Sequence, residues 1–209
     1  MGLINIIGVN LTFLLRLFGY RKKVIDNNLK NAFPDKDKSS LRKIKHQFYS
    51  YFGQLLAESI KLFHCSKNTI RKRHKFVNES QVNAFLKQKK DVIIVLGHYG
   101  NWEWALLASS LNFEAEMVGI YKPLSSTFWN KQVLKIRSQF GATLISMKES
   151  VRYLLKKGKK PRVIGVLSDQ TPSADELNHW INFLNQKTPV FLGAEKLAKK
   201  MDCPVFLHT

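Results

Sequence analysis

The segment DVIIVLGHYGNWEW, residues 91–104, joins an apolar run to a polar turn and then to an aromatic-rich stretch. Residues 92–96 carry only branched apolar side chains, which is typical of a strand buried on both faces of a parallel sheet. The turn begins at Gly97, and the stretch after Asn101 is interpreted as a helix. A strand that leads through a short turn into a helix is the building unit of an α/β fold.

The same alternation continues along the chain. Further strands are predicted from β-rich runs at 117–121, 142–147, 162–167 and 204–207. Helical patterns lie between the runs at 128–140, 149–157 and 192–201, and Gly141 is expected to end the first of them. Strands that alternate with helices predict an α/β fold with a mainly parallel central sheet flanked by helices.

The first 90 residues are predicted to form a helical N-terminal segment that packs on or beside the sheet. Phe33-Pro34-Asp35 marks a turn, and Ser39 or Ser40 is the expected N-cap of a helix that runs to about Phe63. Apolar residues at three- and four-residue steps give this helix one buried face.

Residues 3–18 read LINIIGVNLTFLLRLF, an apolar run that is shorter than the roughly 20 residues of a membrane span. Positive charge follows the run at residues 21–23 instead of preceding it as in a signal peptide. This order fits a helix that anchors to a membrane or lies on its surface, with its basic flank in the cytoplasm. A buried amphipathic helix is the alternative. We therefore predict a membrane helix at 1–20 and one globular domain at 21–209.

The charge balance predicts the chemistry of the partners. The chain has 209 residues with 34 Lys and Arg against 15 Asp and Glu, a net charge of +19, so anionic partners are expected: nucleic acid, membrane phosphates or an acidic protein. Two basic runs, at 71–75 and 156–160, either dock such a partner or form solvated surface. The sequence has no RNP, KH, helix-turn-helix or zinc-finger pattern, which argues against nucleic acid. Two distant cysteines, Cys65 and Cys203, argue against a disulfide scaffold.

Ligands of open α/β sheets bind beyond the carboxyl ends of the strands, so residues that follow strands are candidates for function. His98 follows the first strand, Lys122 the second, and Asp169 with Gln170 the fourth. The spacing of His98 and Glu103 suggests the clearest chemistry. A carboxylate in the first turn of the helix can accept one imidazole N–H and leave the other ring nitrogen as a general base. A core histidine with a surface glutamate is the alternative.

Other chemistries have less support from the sequence. Zinc ligation by His98, Glu103 and Asp169 would lack an HExxH motif or a second nearby histidine. A serine hydrolase would need a G-x-S-x-G elbow, and a nucleotide-binding fold a P-loop or GxGxxG, and the sequence contains none of these. We therefore predict no metal and no cofactor.

At residues 97–104, GHYGNWEW, the chain resembles the lipid A biosynthesis (lauroyl and myristoyl) acyltransferases of the lysophospholipid acyltransferase superfamily. The mark of that superfamily is H-x4-D or H-x4-E, here His98 and Glu103. Further elements resemble those of the family in the same order along nearly the whole chain. They are GYR at 19–21, NLKNAFP at 28–34, YKP at 121–123, RSQFG at 137–141, SDQ at 168–170, and FLG at 191–193 followed by Ala198.

The resemblance implies a glycerol-phosphate-acyltransferase-like fold and a specific reaction. A fatty acyl chain would pass from acyl-acyl carrier protein to a hydroxyl of an acylated, phosphorylated glucosamine disaccharide. The site would face the cytoplasmic leaflet of a bacterial inner membrane. Because the carrier protein, the membrane surface and the glycolipid acceptor are all anionic, this reading also accounts for the net charge of +19.

The resemblance implies catalytic roles for His98 and Glu103. His98 would deprotonate the acceptor hydroxyl, and Glu103 would orient the imidazole and stabilise its charged form. Backbone amides near Gly100 and Asn101, at the start of the following helix, would stabilise the oxyanion of the thioester carbonyl.

The remaining candidates are implied to bind substrate. Arg137 would hold a phosphate of the acceptor or the pantetheine arm of the carrier protein, and Asp169 would shape the site or hold Arg137. Lys122 stands where the family usually has Arg, which weakens a bidentate phosphate clamp. The substrate-binding set implied by the resemblance is Gly100, Asn101, Lys122, Arg137, Asp169 and Gln170.

Two alternatives remain open at this point. One is an acyltransferase of the same superfamily that acts on another phospholipid, glycolipid or aminolipid. The other is a catalytically inactive basic protein that binds membranes or nucleic acid. Family members are longer, and this chain stops inside a predicted strand, so we expect an acyltransferase domain at 21–209 that is truncated at its C-terminus and has an unpaired sheet edge.

Overall fold

The computed structural model describes residues 2–156, 158–172, 177 and 179–208. The chain divides into two compact units. The first unit comprises Met1–His64 and Leu177–Pro189, and the second comprises Cys65–Glu176 and Val190–Thr209. The division predicted after residue 20 concerns membrane contact and stays a prediction.

The first unit is mainly helical, as expected. Its elements are α1 (Gly2–Leu17), α2 (Lys22–Ala32), α3 (Lys38–Lys61), a 3-10 turn (Leu62–His64) and a hairpin of strands β5 (Trp180–Phe183) and β6 (Gln186–Pro189). The predicted N-cap of α3 is wrong by two residues or more. Asp37 caps the helix, because its carboxylate accepts a hydrogen bond from the Ser40 N–H at 2.9 Å.

One side of α1 packs on α3, and the other side is exposed. The hydroxyl of buried Thr12 donates to the Tyr49 carbonyl at 3.3 Å, and Arg16 donates to the His46 carbonyl at 2.8 Å. Among the described residues no single helix is long and apolar enough to cross a bilayer, and α1 with α2 meets that criterion only as a pair bent by 90°. The exposed apolar residues of α1 and of the residue after it are Leu3, Ile6, Val9, Phe13, Leu14, Leu17 and Phe18.

The β5–β6 hairpin was not predicted from the sequence. Its strands have four residues each, too few for an alternating pattern to stand out. Leu184 and Asn185 connect them with positive φ angles of 50° and 59°, the backbone of a type I′ turn.

The second unit contains the predicted α/β sheet. Within the described residues, its five strands lie in the order β3-β2-β4-β1-β7, and all neighbouring pairs are parallel. This confirms the predicted fold class, and each predicted strand agrees within one residue at either end. The strands are β1 (Val92–Leu96), β2 (Glu116–Tyr121), β3 (Thr143–Ser146), β4 (Arg162–Leu167) and β7 (Val205–Leu207).

Helices connect and cover these strands. The helix predicted at 149–157 starts and ends earlier, and Lys157 lies outside the described residues. Gly141 follows the helix predicted at 128–140 with a φ of +96°, as a helix stop requires. The short helices α4 and α5 were missed because seven and nine residues give too little periodicity. The helices are α4 (Lys67–Arg73), α5 (Glu79–Lys87), α6 (Trp102–Asn112), α7 (Thr127–Ser138), α8 (Met147–Leu154) and α9 (Gly193–Met201).

Both faces of the sheet are buried, which explains the continuous apolar strands. Alternate residues of one strand point to opposite faces, so Val92 and Ile93 belong to different clusters. One face packs against α8 and α9, in a cluster that includes Ile93, Val118, Ile145, Leu154, Ile164 and Leu197. The other packs against α5 and the end of α6, in a cluster that includes Val82, Leu86, Val92, Phe113, Met117 and Val163.

A buried ion pair joins the amino ends of β1 and β4. The guanidinium of Arg162, a residue only 3% exposed, donates to the Asp91 carboxylate from Nε at 2.9 Å and to the Leu154 carbonyl from Nη2 at 2.8 Å. The Arg162 backbone N–H donates to the same carboxylate at 2.8 Å. A buried guanidinium without its carboxylate would be left uncompensated.

We predict that Asp91→Ala lowers the free energy of unfolding by about 3–5 kcal/mol, because it strands the charge of Arg162. Urea denaturation measures this change. The matched control is Glu195→Ala, which breaks the exposed pair with Lys199 and should cost less than about 0.5 kcal/mol. Equal losses in the two variants would contradict a structural role for the Asp91–Arg162 pair.

Candidate active site

The register of two neighbouring strands brings His98 and Asp169 together. Leu96 of β1 lies opposite Leu167 of β4, so the residues two positions further on become neighbours at the carboxyl edge of the sheet. Gly97 allows this close approach. A Cβ atom at that position would lie 3.1 Å from Asp169 Oδ2.

Both carboxylate oxygens of Asp169 bind His98. Oδ2 accepts from the His98 backbone N–H at 2.6 Å, and Oδ1 lies 2.6 Å from ring Nδ1. Burial by itself would raise the pKa of Asp169, but the hydrogen bonds and charge of His98 outweigh it and hold the pKa below the ordinary value of 3.8. The ionised carboxylate has no proton to give, so Nδ1 is the donor, and Nε2 is the acceptor whenever the ring carries a single proton.

The second ring nitrogen of His98 meets Gln170. The Gln170 side-chain nitrogen lies 3.2 Å from His98 Nε2, where it can donate to the neutral ring. The His98 ring also packs edge-on against Trp102, with ring centroids 4.7 Å apart. The imidazole is therefore held on three sides while its side chain remains 29% exposed.

Glu103 makes no hydrogen bond or ion pair with His98, which differs from the predicted pair. Its carboxylate binds Arg137 of α7 through both oxygens: Nε donates to Oε2 at 2.8 Å, and Nη2 donates to Oε1. A guanidinium matches a carboxylate in this bidentate way better than an imidazole does. Burial would lower the pKa of Arg137, but the hydrogen bonds and charge of Glu103 outweigh it and raise that pKa.

The carboxylate that binds His98 is therefore that of Asp169, and the carboxylate that binds Arg137 is that of Glu103. Asp169 was expected to shape the site or to hold Arg137; its carboxylate binds His98, and Arg137 is bound by Glu103. Arg137 was expected to bind a substrate phosphate, and its guanidinium is engaged by Glu103. The phosphate contact of Arg137 stays a prediction.

The turn after β1 leads into α6 at the site. Gly100 has a φ of +65°, a left-handed conformation that glycine adopts without strain. Asn101 is the N-cap of α6, and its side-chain oxygen accepts from the Trp104 N–H at 3.2 Å. The α6 N-terminus, with its partial positive charge, thus starts four residues after His98.

A cavity of about 640 Å³ opens at this edge of the sheet. His98, Glu103, Lys122, Arg137 and Gln170 line it, so it gathers five of the predicted site residues. Its volume falls within the range of roughly 300–1,000 Å³ that is usual for ligand sites. Most other lining residues are apolar, and they include Leu124, Val133, Leu134, Met147, Val151, Val166 and Leu197.

Two charged residues of this cavity, Lys196 and Lys200 of α9, were not predicted from the sequence. They belong to a helix that was predicted, but nothing in its local pattern indicated which of its lysines face a cavity. A four-residue spacing puts both on one side of the helix. This spacing could have indicated from the sequence that the two lysines act together. Among the described residues, no group of three or more His, Cys, Asp and Glu side chains is arranged to hold a metal ion.

The family model described as bacterial lipid A biosynthesis acyltransferase matches residues 4–207. No curated protein matches the chain. The matched region includes every residue that lines the cavity.

Proposed function

Because the chain belongs to the bacterial lipid A biosynthesis acyltransferase family, we propose that it transfers a fatty acyl chain from acyl-acyl carrier protein to a hydroxyl of a lipid A precursor. The acyltransferase class follows from the family. The donor, the acceptor and the catalytic residues are the proposal. The observation that carries it is the 2.6 Å contact between His98 Nδ1 and the Asp169 carboxylate, with His98 lining the cavity.

His98 is the general base of the proposed reaction. Its Nε2 takes the proton of the acceptor hydroxyl as the oxygen attacks the thioester carbonyl carbon. Asp169, whose pKa is held low, stays ionised and stabilises the imidazolium that forms. The side-chain nitrogen of Gln170 lies 3.2 Å from His98 Nε2. In the proposed reaction the acceptor hydroxyl takes the place of this nitrogen when substrate binds.

The carbonyl oxygen becomes an oxyanion in this step. We assign its stabilisation to the N-terminal end of α6 around Gly100 and Asn101, where the helix dipole is positive. The tetrahedral intermediate then collapses, the carbon–sulfur bond breaks, and the imidazolium returns its proton to the thiolate. The products are an ester on the acceptor and the free thiol of the carrier protein.

Glu103 and Arg137 have a supporting role in this proposal. Their bidentate pair joins the first turn of α6 to α7, and both residues line the cavity. The pair therefore fixes the wall next to His98. The apolar residues of the same cavity suit the acyl chain, since they offer it a surface shielded from water.

The proposed site of action is the cytoplasmic face of the inner membrane. The exposed apolar side of α1 supports contact with lipid tails, and the basic residues Arg21, Lys22 and Lys23 support contact with anionic headgroups. The net charge of +19 also suits an acidic carrier protein as partner.

The proposal is tested by incubating the chain with labelled acyl-acyl carrier protein and a tetra-acylated glucosamine disaccharide bisphosphate in non-ionic detergent micelles. We expect label to appear in a product with one more acyl chain. Matched reactions replace the acceptor with lysophosphatidic acid or the donor with acyl-coenzyme A. Transfer to the lysophospholipid alone would identify another acceptor class of the superfamily. Absence of transfer to any acceptor, together with salt-sensitive RNA binding, would overturn the proposal.

A further inference from the structure

The charged residues of the cavity leave an excess of positive charge. Its ionisable lining residues are His98, Glu103, Lys122, Arg137, Lys196 and Lys200. Glu103 and Arg137 neutralise each other, and His98 is bound by Asp169. Three lysines remain, and among the described residues none of the three has an acidic partner.

Two lysines of α9 line the cavity, whereas a third, Lys199, does not. Lys196 and Lys200 are four residues apart, so they share one side of the helix, and both line the cavity. Lys199 lies on another side, where its ammonium binds Glu195 at 2.6 Å, and it is 75% exposed. Lys196 and Lys200 are also exposed, so they line the part of the cavity that is open to solvent.

The mixture of apolar and basic residues in the cavity indicates which class of ligand can bind there. Apolar residues such as Leu124, Val151 and Leu197 line the cavity together with the lysines. A ligand that satisfies both must carry a concentrated negative charge and a hydrocarbon part. A phosphate monoester carries a charge of roughly −1.5 to −2 at neutral pH, and lysine binds phosphate as a point charge.

We propose that Lys196 and Lys200, together with Lys122 after β2, form a subsite that recognises a phosphate monoester of the lipid acceptor. This inference rests on the proposed function, and it assigns to α9 the phosphate contact first predicted for Arg137. A phosphate held there lies in the same cavity as His98.

The donor offers a second source of phosphate, the phosphodiester of its pantetheine arm. A diester carries a single negative charge, whereas three lysines match a dianion better. The experiment must therefore vary the phosphates of the acceptor and the concentration of the donor independently.

The test compares a double variant, Lys196→Gln with Lys200→Gln, against Lys199→Gln in the full chain. The control removes the same type of charge from the same helix at a position that does not line the cavity. Both are assayed with the disaccharide bisphosphate and with its phosphate-free counterpart, at saturating donor. Far-UV circular dichroism and thermal unfolding verify that each variant is folded.

We expect the double variant to lose at least about tenfold of the preference in kcat/KM for the phosphorylated acceptor, mainly through a higher KM, because charge-assisted bonds are lost. Lys199→Gln should keep the preference of the unaltered chain. An unchanged preference in the double variant, or a rise in the KM of the donor alone, would overturn the proposal.

A binding measurement separates this inference from the proposed function. Tryptophan fluorescence reports binding of the same two disaccharides in detergent without any turnover. Tighter binding of the bisphosphate that the double variant loses would support the subsite even if the chain transfers no acyl group. Equal binding of both disaccharides by the unaltered chain would overturn it.

Discussion

His98→Ala is expected to lower kcat/KM for acyl transfer by at least about 10²-fold, the scale of losing a general base. Without the imidazole, no other described side chain of the cavity is positioned to take the hydroxyl proton next to an orienting carboxylate. The measurement is the initial rate of labelled acyl transfer at several acceptor concentrations. Binding of the acceptor should change little, so the loss should appear in kcat.

The control for this variant is His46→Ala. His46 is an exposed histidine of α3 and does not line the cavity, so its removal should leave the rate unchanged. The His98 side chain is partly exposed, so its truncation creates no cavity in the core. Turnover that is unaffected in folded His98→Ala protein would contradict the mechanism, whatever the acceptor.

Asp169→Asn is expected to lower kcat by at least about 10²-fold with a smaller change in KM, because an amide no longer fixes the tautomer of the ring. Asp169 acts through His98, so it is a positioning residue. Nitrogen-15 NMR of the imidazole provides a readout that a merely structural role would not move. The spectrum of the unaltered protein should show a proton fixed at Nδ1, and the variant should show a mixture of tautomers.

Glu103→Gln is the matched comparison for Asp169→Asn, because both changes replace a carboxylate with its amide. The structure assigns Glu103 to Arg137, so this variant should leave the imidazole tautomer as it is and act through the cavity wall. If Glu103→Gln alters the tautomer and Asp169→Asn does not, the pair expected from the sequence is the functional one.

Strand positions were predictable because burial on both faces leaves a local record in the sequence. Residues 92–96 form a continuous apolar run, residues 163–167 are apolar apart from Gly165, and both runs lie in strands, at 92–96 and 162–167. Short helices and strands have too few residues for such a pattern to be recognised in the sequence. The four-residue strands of the β5–β6 hairpin and the seven residues of α4 depend on contacts with distant parts of the chain.

The candidate site was predictable in its location but not in its pairing. Each strand end marks a position at the carboxyl edge, so His98, Lys122 and Gln170 were found from strand positions alone, and all three line the cavity. Glu103 and Arg137 were found from motifs, but the sequence could not show that they bind each other. Lys196 and Lys200 required knowledge of which side of α9 faces the cavity.

By itself, the sequence determined the fold class, the strand positions and the family, because hydrophobic periodicity and short motifs are local properties of the chain. Only the tertiary structure decided which carboxylate binds His98. Asp169 is 71 residues away in the chain and becomes its neighbour because β1 pairs with β4 in one particular register. Glu103 is five residues away, but the helix that carries it directs its carboxylate to a guanidinium on α7. Side-chain partners depend on strand order and helix orientation, which sequence spacing does not contain.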